Sequence, residues 1–307
     1  MRRAFITGVS GFVGPYLASH LAANGFEVFG IDRKGSRVAG CSVKKCDITD
    51  YDSLFAIVAR LKPDVVFHLA GQSSVARSWD EPELTMKVNV GGTKNLFEAI
   101  SAAKLSPRVL LVSSAEIYGI PKKLPITEEH PLSPISPYGE SKVEQEKLAS
   151  EFVAKRKLNI VTARSFNHTG PGQPPDFVCS NFARQIADIE KGRQQPVIKV
   201  ADRNVKRDFS DVRDVVAAYL LLVEKGVNGG VYNVCSGQAF TIGEILAKLL
   251  KLSAAKVRVE PDPFKMKNSV VPILHGDNSK LVKATGWKPA IGIDKTLSDI
   301  LEYWRKR

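Results

Sequence analysis

Tyr138 and Lys142 stand four residues apart in the stretch SPYGESK, a spacing that sets both on one face of a helix. A nearby ammonium stabilises a phenolate and lowers the tyrosine pKa. Such a pair can exchange a proton with an alcohol or sugar oxygen near neutral pH. The spacing alone is common among seven tyrosines and many lysines, and Tyr118 with Lys122 repeats it. Gly119 and Pro121 argue against a helix there, whereas Tyr138 opens a good amphipathic pattern. A second group lies in VSSAEIYG, residues 112 to 119. Just past an apolar run, Ser114 offers a hydroxyl that can bind a carbonyl, and Glu116 a carboxylate whose use the residues alone leave open.

A third group is the turn TGVSGFVG, with Gly8, Gly11 and Gly14 between an apolar run and a helical pattern. Glycines there allow a tight turn and let a pyrophosphate approach the helix N-terminus, where free N–H groups and the dipole favour an anion. The next apolar run ends at Asp32. A carboxylate at that point accepts hydrogen bonds from an adenosine ribose and repels a 2′-phosphate. Arg33 and Lys34 pull the other way, and the balance favours NAD(H) over NADP(H).

The elements that must position these groups alternate strictly. AFITG, FEVFGID, DVVFHLAG, RVLLVSS and LNIVTARS read as strands, and FVGPYLASHLAANG (closed by Gly25), PELTMKVNVGGTKNLFEAISAAK and PYGESKVEQEKLASEFVAKRK as helices. That order predicts a parallel sheet with helices on both faces, and the near-continuous apolar strands agree. Past residue 165 the rhythm changes: FNHTGPGQPPDF reads as a loop. Helices are expected over 178 to 191 and through DVRDVVAAYLLLVEKG. TIGEILAKLLKL carries a capping box, Thr241 with Glu244. The expected fold is α/β, a Rossmann-like doubly wound parallel sheet with a smaller C-terminal α/β substrate domain. Residues 1–165 would bind the dinucleotide and 166–307 the substrate, with the segment about 207–237 packing back onto the first domain.

At 307 residues the chain can bury a sizeable core, and 44% hydrophobic with 25% charged is ordinary for a globular protein. No apolar run reaches the roughly 18 residues of a membrane-spanning helix. Four cysteines without metal-ligand spacing read as reduced thiols of a cytoplasmic protein. The +12 formal charge is dispersed, so a solvated basic surface is expected, with a cleft suited to an anionic small substrate, and no nucleic-acid partner. Asp208, Asp211 and Asp214 suggest a metal, but opening a helix explains the last two better. No metal is expected, and His68 and His168 read as structural.

The glycine turn, Ser114 and the Tyr138–Lys142 pair together resemble the extended short-chain dehydrogenase/reductase family, which modifies nucleotide sugars. Nearly the whole chain takes part: Asp47 with Ile48, HLAGQSSV, VNVGGTKNL and TGWKPAIGIDKTL each resemble a family block. FNHTGPGQ, VKRDFSDVRDV and VYNVCSGQ resemble the branch acting on GDP-mannose derivatives, the GDP-4-keto-6-deoxy-D-mannose reductases most of all. The resemblance implies a nicotinamide-dependent reduction at C4 that gives GDP-D-rhamnose or its epimer GDP-6-deoxy-D-talose. Tyr138 would donate the proton, Lys142 would hold the nicotinamide ribose, and Ser114 would bind the carbonyl.

By motif position the resemblance puts Gly8, Gly11, Phe12, Val13 and Gly14 on the pyrophosphate, Asp32 and Arg33 on the ribose, and Asp47 and Ile48 on the adenine. Leu69 and Ala70 line the cofactor cleft, and Asn89 props the backbone beside the active site, open to a proton-relay role. Ser73, Asn167, Arg184 and Arg207 take positions that contact sugar or diphosphate. Ordinary roles compete: Ser73 as a helix cap, Asn167 in a turn, Arg184 as a solvated charge, Arg207 paired with Asp208 or Asp211. Lys267, with Asn268, stands where relatives carry an arginine, which keeps charge but loses the bidentate fork.

In related dehydratases a carboxylate at Glu116 abstracts the C5 proton. Ala115, at the neighbouring acid position, can protonate nothing, which argues for reduction. A 4,6-dehydratase or bifunctional enzyme, a 4-epimerase, and a non-enzymatic dinucleotide- or RNA-binding protein are the alternatives. A homodimer through helices at 84 to 103 and 138 to 157 is expected.

Overall fold

The computed structural model describes residues 1–262 and 271–307, so Lys267 and Asn268 lie outside the described residues. The first half of the chain runs β1 (Arg2–Thr7), α1 (Val13–Ala23), β2 (Phe26–Asp32), β3 (Ser42–Lys45), α2 (Tyr51–Leu61) and β4 (Val65–His68). It continues with α3 (Val75–Asp80), α4 (Pro82–Met86), a π-helical turn (Lys87–Gly91), α5 (Gly92–Ala102) and β5 (Arg108–Ser114). A short 3-10 turn (Ala115–Tyr118), α6 (Pro137–Arg156) and β6 (Asn159–Ser165) follow. The second half holds β7 (Asn167–Thr169), α7 (Val178–Glu190), β8 (Val197–Val200), β9 (Lys206–Asp211), α8 (Val212–Lys225), β10 (Val231–Val234) and β11 (Ala239–Thr241). After these come α9 (Ile242–Lys251), β12 (Arg258–Pro261), β13 (Ile273–Leu274), α10 (Ser279–Thr285) and α11 (Ile293–Arg305).

Seven strands form one sheet in the order β10-β6-β5-β4-β1-β2-β3, every pair parallel, which is the expected doubly wound α/β fold. The central strands are apolar on both sides because both faces are covered. On one face Leu17 and Leu21 of α1 meet Val216, Tyr219 and Leu222 of α8. On the other, Leu54 and Val58 of α2 meet Leu96 and Ile100 of α5 and Phe152 of α6. Each such side chain, fully buried, contributes about 1.5–3 kcal/mol. From β1 the chain winds to β2 and β3 and then crosses to β4 on the other side. That reversal opens a crevice beyond the carboxyl ends of β1 and β4, where open α/β sheets bind ligands.

β9 is flanked by β11, β13 and β7 in a smaller sheet, and β8 pairs with β12. α7, α9 and α11 close over these strands around Phe182, Ile186, Leu246, Leu249, Leu297 and Ile300. The capping box at α9 is present: Thr241 Oγ1 accepts from Glu244 N at 3.0 Å while Glu244 Oε2 accepts from Thr241 N at 2.7 Å.

Three readings of the sequence need correction. The helix expected from 82 to 104 is two α-helices joined by a π-helical turn, because Asn89 turns inward there to bind backbone. The segment 166–177 was expected as loop throughout, yet Asn167–Thr169 forms β7, parallel to β9 with Asn167 opposite Phe209. Three residues are too few to show periodicity. Strand alternation also showed five sheet strands, whereas β3 and β10 make seven. β3 is a short, charged edge strand, SVKK, and so lacks the apolar signature. Among the described residues no helix is long and apolar enough to cross a membrane.

Candidate active site

The crevice begins with the glycine turn. Gly8 has φ +72°, and a Cβ there would lie 2.9 Å from the Ala70 backbone, while one at Gly14 would lie 2.1 Å from the Val9 carbonyl oxygen. A larger residue at Gly8 would push the loops after β1 and β4 apart, and one at Gly14 would push α1 off the loop that leads into it. α1 follows Phe12 as its N-cap residue, with no side-chain cap and no acid in its first turn. Its first N–H groups therefore face the crevice without a carboxylate of their own, and Gly11 adds no bulk, so these residues fit a dinucleotide pyrophosphate. Val13 is half-buried, and the Phe12 ring stacks on His168 at 6.2 Å.

At the end of β2, Asp32 Oδ1 accepts from Lys34 N (2.6 Å) and Gly35 N (3.0 Å), so one carboxylate oxygen shapes its own turn. Arg33 beside it is exposed. Asp47 Oδ1 likewise binds Thr49 through N (2.9 Å) and Oγ1 (2.8 Å), and Ile48 is buried against Gly92. The amides of Leu69 and Ala70 donate to Thr7, at O (3.2 Å) and Oγ1 (3.1 Å), fixing the loop after β4 to the end of β1.

Ser114 ends β5, and its Oγ accepts from Glu116 N at 3.2 Å, which starts the turn Ala115–Tyr118. α6 opens beside it. Ser136 Oγ accepts from Gly139 N at 3.1 Å and Pro137 takes the first helical position. Tyr138 is 8% exposed and Lys142 7%. The Lys142 ammonium lies 5.8 Å from the Tyr138 ring centroid and donates to the Val112 carbonyl at 2.9 Å.

The electrostatics differ from the expectation that lysine lowers the tyrosine pKa. Burial pushes the Tyr138 phenol up to about 12; its hydrogen bond with Ser114 works against this and the Glu116 charge adds to it. Burial also pulls Lys142 down to about 8. Desolvation outweighs charge proximity here because the ring and the ammonium both sit inside the protein. Tyr138 therefore stays protonated across the neutral range.

Glu116 is half-buried; burial raises its pKa and the Arg207 guanidinium on β9 opposes the rise. Arg207 does not pair with Asp208 or Asp211. Asp208 is taken by Ser236 N (2.8 Å), Ser236 Oγ (2.6 Å) and Gly237 N (3.0 Å), and Asp211 by Arg213 and Thr296. Asp211 caps α8 and Asp214 stands in its first turn, as expected, and Asp214 also accepts from Ala290 N (3.0 Å) and Ile291 N (2.8 Å). Among the described residues no group of His, Cys, Asp and Glu could hold a metal.

The π-helical turn delivers Asn89 to the back of the site, a placement such turns often serve. Asn89 Oδ1 accepts from Gln72 N (2.7 Å), and Nδ2 donates to Gln72 O (3.1 Å) and Ser141 Oγ (2.9 Å). Ser141 Oγ donates to the Tyr138 carbonyl at 2.7 Å. One side chain thus ties the loop after β4 to the first turn of α6.

The structure brings Ser114, Glu116, Tyr138, Lys142, Asn89 and Arg207 into one neighbourhood. Ser73 is exposed, and the helix cap at α3 is Ser74, which accepts from Arg77 N at 3.2 Å. Asn167 stands exposed at the start of β7, and Arg184 is exposed on α7, with no ion pair to the cluster among the described residues.

Two buried groups lie behind the site: His68, read from the sequence as structural, and a Glu146–Arg164 pair that the sequence reading did not find. His68 sits between Thr7 Oγ1 (2.7 Å) and Thr93 Oγ1 (2.8 Å), and burial drives it down to about 3, so it is neutral. Glu146 and Arg164 form a buried pair at 2.8 Å. The four-residue step from Lys142 to Glu146 was a signal in plain view.

A family model described as GDP-mannose 4,6 dehydratase matches residues 5–300. A GDP-6-deoxy-D-mannose reductase from Pseudomonas aeruginosa is 37% identical across 100% of this chain and 98% of its own length. The solved structure of RMD from Pseudomonas aeruginosa complexed with NADPH superposes with a TM-score of 0.87 at 37% identity, covering 100% of both chains. That of a UDP-glucose 4-epimerase from Thermus thermophilus complexed with NAD gives 0.87 at 27% identity and 99% of both.

Proposed function

The chain belongs to the GDP-mannose 4,6-dehydratase family of extended short-chain dehydrogenases/reductases, an NAD(P)H-dependent nucleotide-sugar oxidoreductase, and we propose that it reduces GDP-4-keto-6-deoxy-D-mannose at C4. The nicotinamide cofactor, held by the glycine turn, Asp32, Arg33, Asp47 and Ile48, supplies the hydride when bound. The chain's own residues do the rest. Ser114 and Tyr138 donate hydrogen bonds to the C4 oxygen, and Tyr138 passes its proton to that oxygen as negative charge develops. Lys142, charged below about pH 8, holds the nicotinamide ribose and favours the phenolate left behind. Arg207 and Arg184 take the diphosphate, and Ser73 and Asn167 the sugar. Residues 1–165 hold the cofactor and the reacting end of the sugar, and 166–307 hold the rest of the nucleotide sugar.

The observation that carries this reading is the buried Tyr138 phenol beside Ser114, kept as a proton donor, with Ala115 next to it offering no acid. Glu116 binds a sugar hydroxyl in this scheme. Its half-burial beside Tyr138 also suits a base at C5, the second reading. Two reaction mixtures separate them. GDP-4-keto-6-deoxy-D-mannose with NADH or NADPH should oxidise the cofactor, and GDP-mannose with NAD or NADP should stay unchanged. A keto-sugar formed from GDP-mannose, and lost in Glu116→Gln, would make Glu116 the base and overturn the reductase assignment. Proton couplings at C4 of the product tell GDP-D-rhamnose from GDP-6-deoxy-D-talose.

The protein acts as a homodimer through the outer faces of α5 and α6 in this proposal. Each helix carries exposed ion pairs along its own length: Lys94–Glu98 (3.8 Å) on α5, Lys147–Glu144 (2.7 Å) and Lys155–Glu151 (2.8 Å) on α6.

A further inference from the structure

Arg164, near the end of β6, is 6% exposed, and its guanidinium is held by three separate segments. Nε donates to both Glu146 oxygens (3.1 and 3.2 Å) and Nη2 to Oε2 (2.8 Å). Nη1 donates to the Tyr118 hydroxyl and to the Glu128 carbonyl, each at 3.0 Å. The guanidinium carbon lies 5.1 Å from the Tyr118 ring centroid, and Tyr118 donates onward to Asn233 Oδ1 at 2.7 Å. Tyr118 ends the turn that carries Glu116. Glu146, 8% exposed, follows Lys142 by one turn of α6.

We infer that Arg164 and Glu146 are positioning residues: Arg164 locks the Glu116 turn against the helix bearing Tyr138 and Lys142, and Glu146 sets a fixed negative charge beside Lys142. The inference rests on the role given to Lys142 in the reaction above.

Stability is a weak reason for such a pair, since apolar groups of equal volume usually serve as well as a buried ion pair. Geometry is a better one. The planar fork of arginine binds Glu146 with one edge and Tyr118 with the other, a span that the compact ammonium of lysine cannot reproduce. The groups on the elements packed around Lys142 point the same way, Glu146 being the charge that acts on it. On its own helix are Tyr138, a neutral phenol, and Glu146; from β4 comes His68, which is neutral; from the turn after β5 comes Glu116, which faces Arg207; from β6 comes Arg164, turned to Glu146. Burial pulls Lys142 down to about 8 and the Glu146 charge resists that pull. Lys142 works in its charged form, below its pKa. Removing the Glu146 charge lowers that pKa and moves the alkaline loss of activity to lower pH.

The test is kcat/KM for GDP-4-keto-6-deoxy-D-mannose against pH, with saturating reduced cofactor, in wild type and variants. Wild type should lose activity with a midpoint near pH 8, where Lys142 titrates. Glu146→Gln should move that midpoint down by about one pH unit while keeping the acidic plateau within about threefold. Arg164→Lys keeps the pair's charges, so the midpoint should stay, but kcat should fall about tenfold at every pH with KM for the cofactor unchanged. If Glu146→Gln does not fold, Glu146→Gln with Arg164→Met leaves no unpaired buried charge and should move the midpoint the same way. A midpoint unmoved in both, with activity lowered evenly at all pH, would make the pair purely structural and overturn the inference. A wild type that turns over this substrate with no alkaline loss would overturn the role of Lys142 instead.

Discussion

Replacing Tyr138 by Phe removes one O–H and keeps a ring that fills the same space. Activity should fall about 10²–10⁴-fold, the usual worth of a positioned acid, while Tm changes little. An equal fall in stability would mean that Tyr138 is a packing residue. His68 gives a prediction of opposite kind. Burial lowers its pKa from 6.5 to about 3, so the unfolded chain binds a proton that the folded chain refuses. Its stability contribution is present above pH 6.5 and is lost as pH falls toward 3, at about 1.4 kcal/mol per pH unit. Thermal melts of wild type and His68→Gln between pH 7 and 5 should converge as the pH falls. Parallel curves would show that His68 already titrates normally. The placement of Tyr138 and Lys142 on one helix face was legible from spacing and helix position; the dominance of burial over the Lys142 charge was not, because burial is a property of the whole packing.

At the scale of elements, two caps with similar local chemistry should behave differently. Thr241→Ala removes the capping box of α9 and should cost about 1 kcal/mol with activity unchanged. Asn89→Ala leaves the Gln72 amide and the Ser141 hydroxyl without their partner, costing about 1–3 kcal/mol. It also frees the loop after β4 from α6, so kcat should fall as well as Tm. Melting curves paired with kcat check both, and a variant Asn89→Ala with full kcat would remove Asn89 from the site's framework. The capping box could be read four residues at a time. The π-helical turn could not, since VNVGG has ordinary helical composition and the extra residue is accommodated only because Asn89 finds Gln72 and Ser141 in space. β7 escaped for a related reason: its three residues are strand only by pairing with β9, about forty residues on.

For the whole molecule, the +12 charge and the ion-paired faces of α5 and α6 bear on association. A dimer built on those faces brings together helices rich in exposed charges of both signs, so its affinity should change between about 0.05 and 0.5 M salt. Sedimentation equilibrium at both salts checks this. A monomer at both would remove these faces as an interface, and a salt-independent dimer would point to another one.

The sequence by itself determined the strand–helix alternation, the glycine turn, the Tyr138–Lys142 step on one helix face and the Ser114–Glu116 pair after β5. Each is a pattern within a few residues, set by backbone conformation or helical period. Only the tertiary structure decided that Arg207 faces Glu116 instead of Asp208, that Ser74 and not Ser73 caps α3, and that β10 completes the sheet beside β6. It also decided that Arg164 joins the Glu116 turn to α6. Those contacts link residues far apart along the chain, and their energies depend on which groups folding removes from water.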